Sequence, residues 1–217
     1  MAHEGNERPR LETASAVVLS LAALASSWAV YQASLWEGEE ASQYTRASAL
    51  RIQASRTAIE GDALASAELQ VFGAWLEAAA RGEDQLAAFY LARFPAGLRA
   101  AFDAWAADEP MSNPAAPPTP FATPGYRRPG LDASRRLDQQ ADASYAAGRR
   151  ASRIGDGFHQ SSTVLAAALF FGGIGQVFSR TGPRLVLLAV ACLALLAGLL
   201  RLFSLPMQFL GVHVLAG

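Results

Sequence analysis

Three histidines, one cysteine and a run of glutamates are the side chains best suited to chemistry in this 217-residue chain. His3, His159 and His213 stand far apart, and none has a second ligand at metal-binding spacing. Cys192 is the lone cysteine and lies in an apolar stretch. It can close no intramolecular disulfide and reads as a small packing residue. No zinc-protease helix, nucleophile elbow or phosphate loop is present. Gly172, Gly173 and Gly175 are glycine-rich without the setting of a nucleotide site, and their apolar surroundings suit close helix packing. Glu37, Glu39 and Glu40 could hold a cation at a membrane surface, but a solvated or ion-paired cluster fits their pattern better. The residues therefore call for no catalytic group, no cofactor and no metal ion. The formal net charge of −1 provides no global field for nucleic acid.

The elements that carry these residues follow from the charge pattern. Residues 13–36, 159–179 and 185–200 contain no charged side chain. An apolar helix of about 20 residues crosses a bilayer core. The expected fold is all-α: an integral membrane protein with three transmembrane helices and an extramembrane antiparallel helical hairpin stalk. Residues 1–12 form a polar tail. Spans cover residues 13–36, 160–179 and 184–205, the helical insert covers residues 37–159, and residues 206–217 form an apolar tail. Residues 13–36 resemble a signal peptide in following Arg8 and Arg10, but the uncharged stretch is longer than a usual signal core. An uncleaved anchor is expected.

Small residues four apart let membrane helices approach closely. Ala25, Ala29 and Ala33 form one such line in the first span, and Gly172, Gly173 and Gly175 supply a matching surface in the second. Trp28, Tyr31 and Trp36 gather at one end, as interfacial aromatics do. In the insert, residues 37–80 read as a continuation of the first helix, with Gly61 and Gly73 as possible bends. Gly82 suits a left-handed helix cap. Two short helices follow, separated by Pro95.

Residues 108–130 hold most of the prolines of the chain, which has 11, and should form an extended, irregular loop. One reading is a plain linker. The other is a docking surface, with Phe121, Tyr126, Arg127 and Arg128 as partner-binding residues and Pro117, Pro118 and Pro120 resembling a polyproline ligand. Beyond the loop, Leu137, Ala141, Tyr145, Gly148, Ala151, Ile154 and Phe158 mark one face of a returning helix.

Glu39 and Glu40 follow the first span, and Arg149 and Arg153 precede the second. An antiparallel hairpin brings them to one height, so Glu39 or Glu40 should pair with Arg153. Such exposed pairs contribute about 0–1 kcal/mol and set register more than stability. Arg8, Arg10, Arg180 and Arg184 fall on one side of a three-span arrangement, which the positive-inside rule makes cytoplasmic. Arg149, Arg150 and Arg153 argue the other way. The expected location is a bacterial inner membrane with the insert in the periplasm.

Residues 28–36 (Trp-Ala-Val-Tyr-Gln-Ala-Ser-Leu-Trp), the pair Glu39 and Glu40, and two closing spans joined across residues 180–184 give the chain a resemblance to uncharacterised small bacterial three-span membrane proteins with a helical insert. The resemblance covers most of the chain as architecture and implies no activity. The function expected is a non-catalytic, membrane-anchored accessory or scaffold subunit. Its partners would be the lipid bilayer and either further copies or a larger membrane complex, with no nucleic acid. The alternative is a subunit of a homo-oligomeric channel or transporter. Its pore would need Ser15, Ser20, Ser26, Ser27 and Gln32 on a shared axis, and helical spacing does not put them on one clean face.

Overall fold

The computed structural model describes residues 7–208, and these are helical apart from turns and loops. The helices are α1 (Glu7–Ala80), α2 (Asp84–Leu91), α3 (Ala96–Ala107), α4 (Leu131–Gly175) and α5 (Thr181–Phe203), with a single 3-10 turn at Pro120–Ala122. His3, His213 and residues 209–217 of the apolar tail lie outside the described residues, as do residues 1–6 of the polar tail. The chain divides into two compact units. A terminal unit comprises Met1–Arg46 and Ser144–Gly217, and a central unit comprises Ala47–Ala143. Both α1 and α4 contribute to each unit.

Alanine dominates α1, and its high helix propensity suits a 74-residue element without an internal stop. The stop comes at Gly82, whose φ of +72° is the left-handed conformation glycine adopts freely. There the Gly82 and Glu83 amides donate to the carbonyls of Ala79 and Ala78, closing the last turn in a Schellman arrangement. Pro95 opens α3, where the missing amide hydrogen costs nothing.

In each unit α1 and α4 pair antiparallel through small residues. In the terminal unit Gly155 lies against Trp36, and Gly172 lies against Leu19. In the central unit Arg51 pairs with Asp142 at 3.3 Å, and Gly61 meets Gly130. The contact positions recur every seven residues. On α1 they include Ala33, Ala47, Ala54 and Gly61; on α4 they include Ser134, Ala141, Gly148 and Gly155. A sustained seven-residue spacing is the pattern of supercoiled helices. With alanine, serine and glycine at these positions, the backbones can come close. Gly61, expected as a bend, is such a place: a Cβ there would sit 2.1 Å from the Pro129 carbonyl oxygen. Gly148 likewise makes room for the Tyr44 ring, which a Cβ would meet at 2.7 Å.

The terminal unit adds α5. Its interior is Ala22, Leu165, Ala168 and Leu195, continued by Ala29, Ala33, Phe158 and Leu202. Gly198 receives the Leu165 side chain and Gly172 the Leu19 side chain. Large apolar side chains point outward instead: Val17, Leu21, Leu24, Phe170, Val186, Leu193, Leu196, Leu200 and Phe203 are exposed.

Two helices, α1 and α5, are long and apolar enough to cross a membrane. The third expected span, residues 160–179, is not among them and lies mostly within α4. α4 ends at Gly175, where Gln176 and Val177 turn back onto Gly173 and Ile174. α4 is long enough for a hydrocarbon core of about 30 Å, and its composition, not its length, sets it apart from α1 and α5. α5 begins at Thr181 and ends at Phe203, ahead of the expected 184–205.

Candidate interaction site

The central unit is built on an aromatic cluster. Phe72 and Trp75 come from α1, while Phe102 and Trp105 come from α3. Trp75 meets Phe102 edge-on at 4.6 Å, and Phe72 meets Trp105 at 5.7 Å. Such T-shaped pairs match ring edge to ring face. Phe94 and Leu98 complete the buried set. The proline-rich loop closes over it. Trp105 Nε1 donates to the Pro117 carbonyl at 2.7 Å, Pro120 is buried, and Phe121 packs edge-on against Phe72 at 5.6 Å. Residues 108–130 thus form a folded cover, fastened by turns and side chains. The expected extended connection is not what the chain adopts. Between this cover and α1 lies a groove of about 470 Å³ bordered by Phe72, Leu76, Trp105, Met111 and Pro114.

Glu68 is a buried carboxylate in this unit, 6% exposed. The Tyr126 hydroxyl donates to its Oε2 at 2.7 Å. Burial first, and then the bond to this carboxylate and its charge, push the Tyr126 hydroxyl from an ordinary 10.0 up to about 12. Tyr126 also stacks edge-on with Phe121 at 5.1 Å. Next to it, Arg128 pairs with Asp62 at 2.6 Å. A second cleft, about 300 Å³, opens beside Glu68 and is walled by Leu64, Val71, Pro95 and Pro129, with Arg93 at its edge. The Arg93 guanidinium lies 3.4 Å from the Phe89 ring centre and donates to the Phe89 carbonyl.

The terminal unit joins its helices through several polar bonds, some of them inside. Gln32 is fully buried, and its side chain donates to the Gln208 carbonyl while accepting from the Gln208 amide, both at 2.8 Å. Trp36 Nε1 donates to the Pro206 carbonyl, and Leu205 fills the space left by Gly157. The segment after α5 is therefore tied back onto α1 and α4. The Ser26 and Ser162 hydroxyls bond at 2.9 Å. His159 and Glu37 pair at 2.7 Å, and Arg201 bonds Gln160.

Phe121, Tyr126 and Arg128, expected on a docking surface, are engaged within the unit; Arg127 is exposed. Ala29 and Ala33 are fully buried and Ala25 packs beside them. Gly172 and Gly175 face neighbouring helices, whereas a Cβ on Gly173 would meet nothing within 4 Å. The expected pairing of Glu39 or Glu40 with Arg153 is absent among the described ion pairs. Glu39 accepts from Gln43, its own helical neighbour. Glu40, Arg149 and Arg153 surround Tyr44, whose hydroxyl is raised, first by burial and then by Glu40, with both arginines opposing. Bonding between α1 and α4 at that height is made instead by Glu37 and His159. Glu68 and the aromatic cluster were missed from the sequence, and Gln32 was weighed only as a pore residue. A concentration of tryptophan and phenylalanine over residues 72–121 was the available signal. Comparison with family models, curated proteins and solved structures finds no match to this chain.

Proposed function

We propose that the protein is a non-catalytic, membrane-anchored helical scaffold, with the apolar part of the terminal unit in the bilayer and the central unit outside it as the partner-binding part. The inside-out composition of the terminal unit carries this reading. Many of its leucines, valines and phenylalanines are exposed, while alanine, glycine, serine and Gln32 make up much of its interior around Phe158, Leu165, Leu195 and Leu202. Water would penalise that distribution, and lipid favours it, since close backbone approach and internal polar bonds hold membrane helices together. α4 follows α1 from Trp36 to Leu19, so a bilayer crossed by α1 would be crossed by α4 beside it. That supports three crossings although α4 is the least apolar. The bacterial inner membrane and a periplasmic central unit remain the favoured location, on the arginines at 180 and 184.

The channel reading draws less support. Gln32 and Ser26, two of the residues a pore would need, are bonded within one chain.

The test uses Cys192, which is exposed on α5 and is the sole thiol. In intact membranes it should resist a membrane-impermeant maleimide and react after detergent solubilisation, and alkaline carbonate should leave the chain in the pellet. Rapid labelling together with carbonate release would refute the anchoring.

A further inference from the structure

We propose that the cleft beside Glu68 receives one arginine side chain of a partner protein. The inference deepens the scaffold reading, since it names the partner chemistry of the central unit. Glu68 is more than nine-tenths buried, yet only one of its carboxylate oxygens has a protein donor among the described residues. Oε2 takes the Tyr126 hydroxyl, which leaves Oε1 for the cleft that Glu68 lines. Oε1 is not sealed in: the one fully enclosed, unpaired side-chain polar atom among the described residues is Arg184 Nε, in the terminal unit. A carboxylate held in apolar surroundings with half its acceptors unused favours a cation that can reach it.

Among the described residues no charge meets that need. Arg128 is committed to Asp62 at 2.6 Å. Arg93 stands at the edge of the cleft but stacks on Phe89 and donates to its carbonyl. A metal ion is a poor occupant, because among the described residues no three His, Cys, Asp or Glu side chains converge. The walls select among organic cations. Leu64, Val71, Pro95 and Pro129 present apolar faces. A guanidinium is planar and weakly hydrated and suits such walls better than a compact, strongly hydrated ammonium. It would donate through one N–H to Oε1 in a charge-assisted bond. The 300 Å³ of the cleft accommodates a side chain and no folded element, so the arginine would enter from a partner surface, as a single anchor.

The full chain in zwitterionic nanodiscs, with leucine and valine methyls labelled for NMR, tests this. The probe is the peptide acetyl-Ala-Arg-Leu-amide, and its control replaces arginine by the neutral isostere citrulline. Empty nanodiscs report any binding to lipid. The arginine peptide should shift the Leu64 and Val71 methyls in a saturable way, and the citrulline peptide should bind at least tenfold more weakly. Glu68→Gln keeps an acceptor for Tyr126 and so preserves the methyl spectrum elsewhere, but should weaken the arginine peptide at least tenfold. Arg93→Ala removes a competing positive charge and should tighten it severalfold. A lysine peptide that binds as well as the arginine peptide would overturn the guanidinium assignment. Equal binding of arginine and citrulline peptides, or no methyl shift at 10 mM peptide (about the weakest affinity worth calling a site), would overturn the site. Should Glu68→Gln unfold the unit, the two peptides on the natural chain decide alone. None of these outcomes bears on Cys192 protection, so loss of the site and loss of the membrane reading are separately visible.

Discussion

The terminal and central units share α1 and α4, yet they weight their interiors differently. The terminal unit packs Ala22, Ala29, Ala33, Ala168, Gly172 and Gly198 around Phe158, Leu165, Leu195 and Leu202 and turns Leu21, Leu24, Leu193 and Phe203 outward. The central unit encloses Phe72, Phe94, Phe102 and Trp105 and turns Arg51, Arg56 and Glu60 outward. The contrast shows two routes to cohesion. Aromatic mass gains from leaving water. Small residues gain from contact and from bonds made inside, a route that still works where the surroundings are themselves apolar.

The most disruptive test of this contrast is Trp105→Ala. It removes three ring contacts and the bond to Pro117, and a buried aromatic truncated to alanine costs about 3–5 kcal/mol. Near-ultraviolet circular dichroism and proteolysis within residues 82–130 should register loss of the central unit, with cleavage in the terminal unit unchanged. Next is Gly61→Ala, whose Cβ would collide with the Pro129 backbone. Overpacking of this kind costs about 1–3 kcal/mol, whereas Gly73→Ala meets open space and should gain about 0.5–1 kcal/mol. Thermal melts of the two variants should move in opposite directions. If both rise, small residues are not required at the seam.

In the terminal unit, Gln32→Leu strips both partners from the Gln208 backbone. The expected loss is about 1–3 kcal/mol, read as faster amide exchange at Gln208 with no change in the aromatic cluster. The mildest expected change is Tyr126→Phe, about 1 kcal/mol for one hydrogen bond. The Tyr126 hydroxyl is raised in the folded chain, so its contribution is complete below pH 10 and is lost as pH climbs through about 12. Alkaline unfolding between those values should flatten in Tyr126→Phe. An unchanged alkaline limb would separate the Glu68–Tyr126 bond from stability.

Much of the helix layout was legible because it depends on charge-free stretches, prolines and Gly82. The pairing seam was not. Alanine, serine and glycine sit near the middle of any hydrophobicity ranking, so the seven-residue repeat through Ala47, Ala54 and Gly61 carries little apolar contrast. The loop misled for a related reason. Proline cannot join a helix or sheet ladder, and that says nothing about packing: Pro120 and Phe121 still contribute to the core. Glu68 could not be read as buried, because a lone glutamate between Ala67 and Leu69 looks like any solvated helix face until Tyr126 arrives from 58 positions away. The register of the ion pairs was likewise open to chance, since long side chains near one height have many neighbours within reach, and His159 took the place expected for Arg153.

A seam that repeats itself is degenerate. Slide α4 along α1 by one period and small residues would again face small residues, at almost equal energy. Specific fits lift that degeneracy, foremost the Tyr44 ring in the notch of Gly148 and the Pro129 carbonyl against Gly61. Filling either notch would therefore threaten alignment before it threatened helicity, leaving a chain as helical as before but assembled one step out of place.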